Sequence, residues 1–99
     1  MNIFAVAALT DSIRQAYGPC EYIRAIRVRQ VFQDRVLWEG KVGIFHVQQF
    51  GETIECYAWC NDNTLGFHVP VIMLSTLAID SPAAAVRAYV LSLCYELAA

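Results

Sequence analysis

The sequence is short of charge and of recognisable catalytic motifs. Asp, Glu, Lys and Arg together make up only 16% of the 99 residues, whereas typical soluble domains carry about 25%. The sequence contains no glycine-rich phosphate loop, no paired-carboxylate site and no serine nucleophile elbow. We therefore predict a protein that is not an enzyme and that carries no cofactor.

Membrane and secretion signals are missing as well. No apolar run approaches the roughly 18 residues of a membrane span, and no Lys or Arg precedes the apolar stretch at residues 3–9, as a signal peptide would require. Without secretion, the four cysteines are expected to be reduced thiols. We expect a cytoplasmic protein that does not associate with membranes. The cysteines are Cys20, Cys56, Cys60 and Cys94.

A metal site is not expected either. Cys56 and Cys60 have a spacing that could suggest zinc, but both lie in a predicted strand. Positions four apart on a strand are separated by about 13 Å, so the two sulfurs could not share one ion at about 2.3 Å. The two thiols are therefore interpreted as packing groups.

Apolar residues, in contrast, are abundant. They form 58% of the sequence, and a domain of this size buries only about 60–70% of its unfolded surface. Part of the apolar surface is therefore expected to be covered by a partner. The net charge of −2 argues against general binding of polyanions.

The order of periodicities predicts the fold. A helical pattern over residues 2–17 ends at Gly18-Pro19, and a second helix begins with Asp80 or Ser81 as N-cap and Pro82 in the first turn. Between them, alternation predicts strands over residues 22–32, 35–48, 53–60 and 65–74. Residues 1–99 are thus predicted to form a single α+β domain. It is a two-layer sandwich, helix–four-stranded antiparallel meander–helix, with both helices on one sheet face.

Two details of the sheet are also predicted. Gln33-Asp34 and Phe50-Gly51 are expected to form hairpin turns, and Pro70 indicates that the fourth strand is an edge strand or is interrupted. In the second strand, the apolar side chains change from one face of the strand to the other after Ile44. Such a change is typical of a β-bulge, for which Gly40 and Gly43 are the candidate positions.

The third predicted strand has two contrasting faces. Its small face includes Cys56 and Ala58, whereas Tyr57 and Trp59 share the other. If both helices cover the small face, the two rings lie on an open sheet face. The leading hypothesis is therefore an intracellular homodimerising or partner-binding module that uses this aromatic face.

Two alternatives use the same strand. The first is a binding protein for a small apolar or aromatic ligand, with a site formed by Trp38, Tyr57, Trp59 and His68. The second is binding of single-stranded nucleic acid or another anion, which requires Arg27 and Arg29 to share a sheet face with the rings. The simpler interpretation of these arginines is a charged solvent face, on which they stack on the rings or pair with Glu39 and Glu55 across strands.

Overall fold

A computed structural model describes residues 1–62 and 68–98. Its helices and strands form one antiparallel sheet in the order β1-β2-β3-β4, preceded and followed by a helix. The α+β class, the antiparallel meander and the helix–sheet–helix order are therefore confirmed. Residues 63–67, part of which was assigned to the fourth strand, lie outside the described residues. The elements are α1 (Ile3–Tyr17), β1 (Cys20–Phe32), β2 (Arg35–Gln49), β3 (Glu52–Asp62), β4 (His68–Leu74) and α2 (Pro82–Ala98).

Local side-chain chemistry explains where the helices begin and end. The Oδ1 atom of Asn2 accepts a hydrogen bond from Ala5 N–H at 2.8 Å and caps α1. Gly18, with φ of 102°, ends the helix in a conformation that side chains disfavour. Ser81 Oγ caps α2, and Pro82 occupies the first helical position. The predicted helix end at Gly18 and the predicted start at Ser81-Pro82 are confirmed, whereas the Asn2 cap was not predicted.

Both predicted two-residue turns are present. Gln33 and Asp34 have φ of 49° and 62°, and Phe50 and Gly51 have φ of 53° and 77°. Positive φ at both central residues is typical of the type I′ turn, whose twist matches that of the flanking strands. Pro70 lies within β4, which is an edge strand and continues through it.

The two helices lie on opposite faces of the sheet, so the prediction of a two-layer sandwich with both helices on one face is wrong. Helix α1 packs through Leu9 and Ile13, and helix α2 through Ala85 and Val86. Successive strand residues point to opposite faces, and the two sets of sheet residues alternate accordingly. The set under α1 contains Phe45, Val47, Cys56 and Ala58; the set under α2 contains Val28, Val42, Ile44, Tyr57 and Trp59.

Each helix covers only part of its face. On β3 and β4, both faces are packed, whereas the long β1–β2 hairpin is covered by α1 near Tyr22 and by α2 near Val28. The face of the hairpin opposite Val28 therefore stays open. It carries Arg27, Arg29, Glu39 and Lys41, all exposed.

The bulges are not at the predicted positions. The register of β1 against β2 shifts between Tyr22 and Arg24, and again between Gln30 and Val31. These shifts leave Ile23 as the extra residue on β1 and Leu37 as the extra residue on β2. The phase change after Ile44 needs no bulge.

The two glycines serve close packing instead. At Gly40, an added Cβ would lie 3.1 Å from the ring of Trp38, and at Gly43 it would lie 2.9 Å from the ring of Phe45. Each glycine thus gives an aromatic ring room to lie against the strand.

Neither helix, over its described residues, is long and apolar enough to cross a membrane.

Candidate functional site

The aromatic residues proposed as a binding surface form part of the core. Tyr57 and Trp59 are each only 1% exposed, because α2 covers the face that was predicted to be open. The ring of Trp59 stacks on Tyr89 of α2 at 5.7 Å and meets the edge of Trp38 at 5.6 Å. The exposed aromatic sheet face expected from the sequence is therefore not formed.

The polar atoms of this aromatic core are mostly satisfied. Asn61 Nδ2 donates a hydrogen bond to the Tyr89 hydroxyl at 2.6 Å. The Tyr57 hydroxyl is hydrogen-bonded to Ser75, and burial raises the pKa of Tyr57. The indole Nε1 of Trp59 is buried and has no hydrogen-bond partner within the described part of the chain. Such an unpaired donor destabilises the fold by about 1–3 kcal/mol.

The residues named for a small-ligand site are only partly brought together. Trp38, Tyr57 and Trp59 pack in one cluster, and the side chain of His68 lies outside the described residues. Two grooves are described, of about 200 and 240 Å³. Neither is lined by any of the three clustered rings.

The structure also separates the residues named for nucleic-acid binding. Arg27 and Arg29 alternate with Val28, which packs under α2, so they lie on the opposite face from Tyr57 and Trp59. Both arginines form ion pairs with the Glu39 carboxylate, Arg27 at 2.8 Å and Arg29 at 3.4 Å. The predicted cross-strand pairing is confirmed for Glu39, whereas Glu55 forms no ion pair with either arginine. The combined arginine–aromatic surface is absent.

The thiols of Cys20 and Cys56 are not activated as nucleophiles. Burial raises the pKa of the Cys56 thiol to about 12 and also raises the pKa of Cys20. Among residues 1–62 and 68–98, no group of three or more His, Cys, Asp or Glu side chains is placed to hold a metal ion. A buried thiol with a raised pKa is a packing group.

The end of the β1–β2 hairpin carries an exposed apolar surface that the sequence analysis missed. We define the hairpin-end surface as four residues of the hairpin and one of α2, whose exposure ranges from 46% for Val36 to 61% for Phe32. The groove of about 240 Å³ lies between the hairpin and α2. The residues of the surface are Val31, Phe32, Val36, Leu37 and Leu91.

A sequence signal for this surface was present. Val31-Phe32 and Val36-Leu37 are pairs of adjacent apolar residues on either side of a turn. Because neighbouring strand residues point to opposite faces, each pair places one apolar side chain on each face. Neither face of the hairpin end is then polar, although both are exposed.

Comparison of the chain with protein-family models, with curated proteins and with solved structures finds no match. The function must therefore be inferred from the surface itself.

Proposed function

We propose that the protein works as an interaction module that forms a homodimer through the hairpin-end surface. The observation that supports the proposal is the exposure of Val31, Phe32, Val36, Leu37 and Leu91 at one end of the molecule. These side chains wrap around both faces of the hairpin end, and soluble monomers rarely leave this much apolar surface uncovered unless it has a binding role. The low charge content of the chain points in the same direction.

The area fits a symmetric pair. Five side chains that are about half exposed present roughly 400 Å² of apolar surface, within the range of about 300–600 Å² typical of functional patches. Two hairpin ends that interlock, so that both faces of each are covered, bury about 800 Å². With the surrounding polar atoms, the interface reaches the roughly 1,000 Å² expected of a biological contact.

The energetics are compatible with association. At about 25 cal/mol per Å², burial of this apolar area contributes roughly 20 kcal/mol as an upper bound. Loss of translational and rotational freedom opposes it by about 4–15 kcal/mol. The difference is at most about 5–16 kcal/mol, and its lower end corresponds to a Kd of about 0.2 mM. The area therefore permits a dimer without any contribution from the aromatic rings of the core.

Sedimentation equilibrium of the full chain tests the proposal. The wild type is expected to be dimeric at tens of micromolar, and Leu37→Asp is expected to be monomeric because it places a charge in the contact. Leu77→Asp is the matched control, since Leu77 is fully exposed in the segment between β4 and α2, away from the surface. A monomeric wild type, or a Leu37→Asp variant that stays dimeric, would overturn the proposal.

A further inference from the structure

The outer edge of β1 is the longer of the two edges of the sheet. β1 has 13 residues, contains no proline and lies at one end of the strand order, whereas β4 has seven residues and contains Pro70. Proline and short length protect the β4 edge, and the bulge at Ile23 and the charged side chains protect β1. Between Arg24 and Gln30, however, β1 pairs regularly with β2. Its unpaired backbone N–H and C=O groups over this stretch are a template for an added strand whose charges match.

The face beside this edge is positively charged. Arg27 lies directly opposite Lys41, and Arg29 lies opposite Glu39. Like charges in directly opposed positions destabilise a sheet, and the single Glu39 carboxylate serves both arginines. Within the described residues, no other carboxylate forms an ion pair with this group. The four side chains thus keep a formal charge of +2 in a chain whose net charge is −2.

The other face of the same edge is apolar. Ile26 and Val28 alternate with the two arginines and pack towards α2. A strand added along β1 would place every second side chain beside Arg27 and Arg29, and the remaining side chains beside Ile26 and Val28. The complementary strand therefore alternates acidic and apolar residues.

We infer that the edge of β1 binds an extended segment of a partner protein in which acidic side chains alternate with apolar ones. The acids pair with Arg27 and Arg29, and the backbone of the segment pairs with that of β1. A second copy of β1 paired about Val28 does not fit, because it would bring its own Arg29 and Arg27 alongside Arg27 and Arg29. The inference goes beyond the proposed homodimer, which uses the hairpin end instead.

A labelled peptide of alternating Glu and Val, about eight residues long, provides the probe. Fluorescence anisotropy at low salt is expected to show binding to the wild type, which weakens as salt is added. Arg27→Glu/Arg29→Glu is expected to lower the affinity at least about tenfold. Arg14→Glu/Gln15→Glu is the control, since it lowers the net charge by three, against four, with exposed residues of α1, and it should bind as the wild type does.

Two further peptides separate the charge from the backbone contribution. An alternating Lys and Val peptide is expected to bind the Arg27→Glu/Arg29→Glu variant and not the wild type. A Glu and Val peptide that is N-methylated at alternate residues is expected to lose binding, because methylation removes the donors that a strand edge requires.

Several results would overturn the inference. One is the absence of binding of the Glu and Val peptide at low salt, and another is an equal loss of affinity in the two double variants. The others are full binding of the N-methylated peptide, and arginine-dependent binding of an oligo-dT strand that is tighter than binding of the peptide. Repeating the titration in the Leu37→Asp background keeps the two proposals distinct. Peptide binding by a monomer supports the β1 site alone, and loss of peptide binding leaves the dimer measurement unaffected.

Discussion

Ile44 and Phe45 are neighbours in β2, yet their side chains belong to different cores. Ile44 packs with Trp59 under α2, whereas Phe45 packs with Leu9 and Ile13 of α1. Both side chains are buried, because this is where the two helices overlap across the sheet. One peptide bond thus joins the two halves of the hydrophobic core.

Truncating either residue should affect the helix on its own side. Ile44→Ala and Phe45→Ala are each expected to lower the free energy of unfolding by about 2–5 kcal/mol, measured by urea denaturation followed by circular dichroism. Both tryptophans lie on the α2 side, so Ile44→Ala should shift the tryptophan emission of the folded protein and Phe45→Ala should not. Equal shifts in the two variants would contradict the two-core arrangement.

The hydrogen bond between Asn61 and Tyr89 anchors α2 to β3. Tyr89→Phe keeps the ring stacked on Trp59 and removes only the hydroxyl acceptor, so the free energy of unfolding is expected to fall by about 0.5–1.5 kcal/mol. A double-mutant cycle with Asn61→Ala in urea denaturation isolates the pair. A coupling energy of zero would show that the 2.6 Å contact contributes nothing.

Phe50 has a strained backbone conformation, and its side chain makes no packing contacts that would offset the strain. Its φ is 53°, which bulky residues disfavour, and its side chain is 98% exposed. Phe50→Asn would create the Asn-Gly pair preferred in type I′ turns and is expected to raise the free energy of unfolding by about 1 kcal/mol. Phe50→Ala, which removes the ring and keeps the strain, is the matched control in thermal unfolding. A gain equal to that of Phe50→Asn would rule out relief of backbone strain as the cause.

The Cys56 thiol links stability to alkaline pH. Burial raises its pKa from 9.0 to about 12. Between these values the unfolded chain loses the proton and the folded chain keeps it, so the unfolded state binds fewer protons. Stability therefore falls as pH rises through this window, while the full contribution is present below pH 9.0. Urea midpoints across the window should fall more steeply for the wild type than for Cys56→Ala. Parallel curves would contradict the assignment.

The sequence predicts where the helices and strands lie along the chain, but not which face of the sheet each helix covers. Caps such as Asn2 and Ser81 and the turn at Phe50-Gly51 are local signals, and each acts within a few residues. In contrast, the alternation of Cys56 and Tyr57 shows only that β3 has two apolar faces. It does not show which helix covers each face, since that depends on contacts between residues far apart in the chain.

The predicted open aromatic face was wrong for the same reason. With both helices on one face, Tyr57 and Trp59 would lie on an open surface. The bulges at Ile23 and Leu37 carry no glycine or proline to mark them, so strand register could not be read from composition. The true exposed surface around Phe32 depends on how far α2 reaches along the hairpin, which only the packed structure shows.

The coverage of Trp59 by α2 has a consequence for biosynthesis. A ribosome completes all four strands before it makes α2, since the helix follows them in the chain. A sheet that forms before α2 docks displays Ile44, Tyr57 and Trp59 to the solvent, and such surfaces favour aggregation. Docking of α2 is thus the folding step that removes the largest aromatic surface of the sheet from contact with other chains.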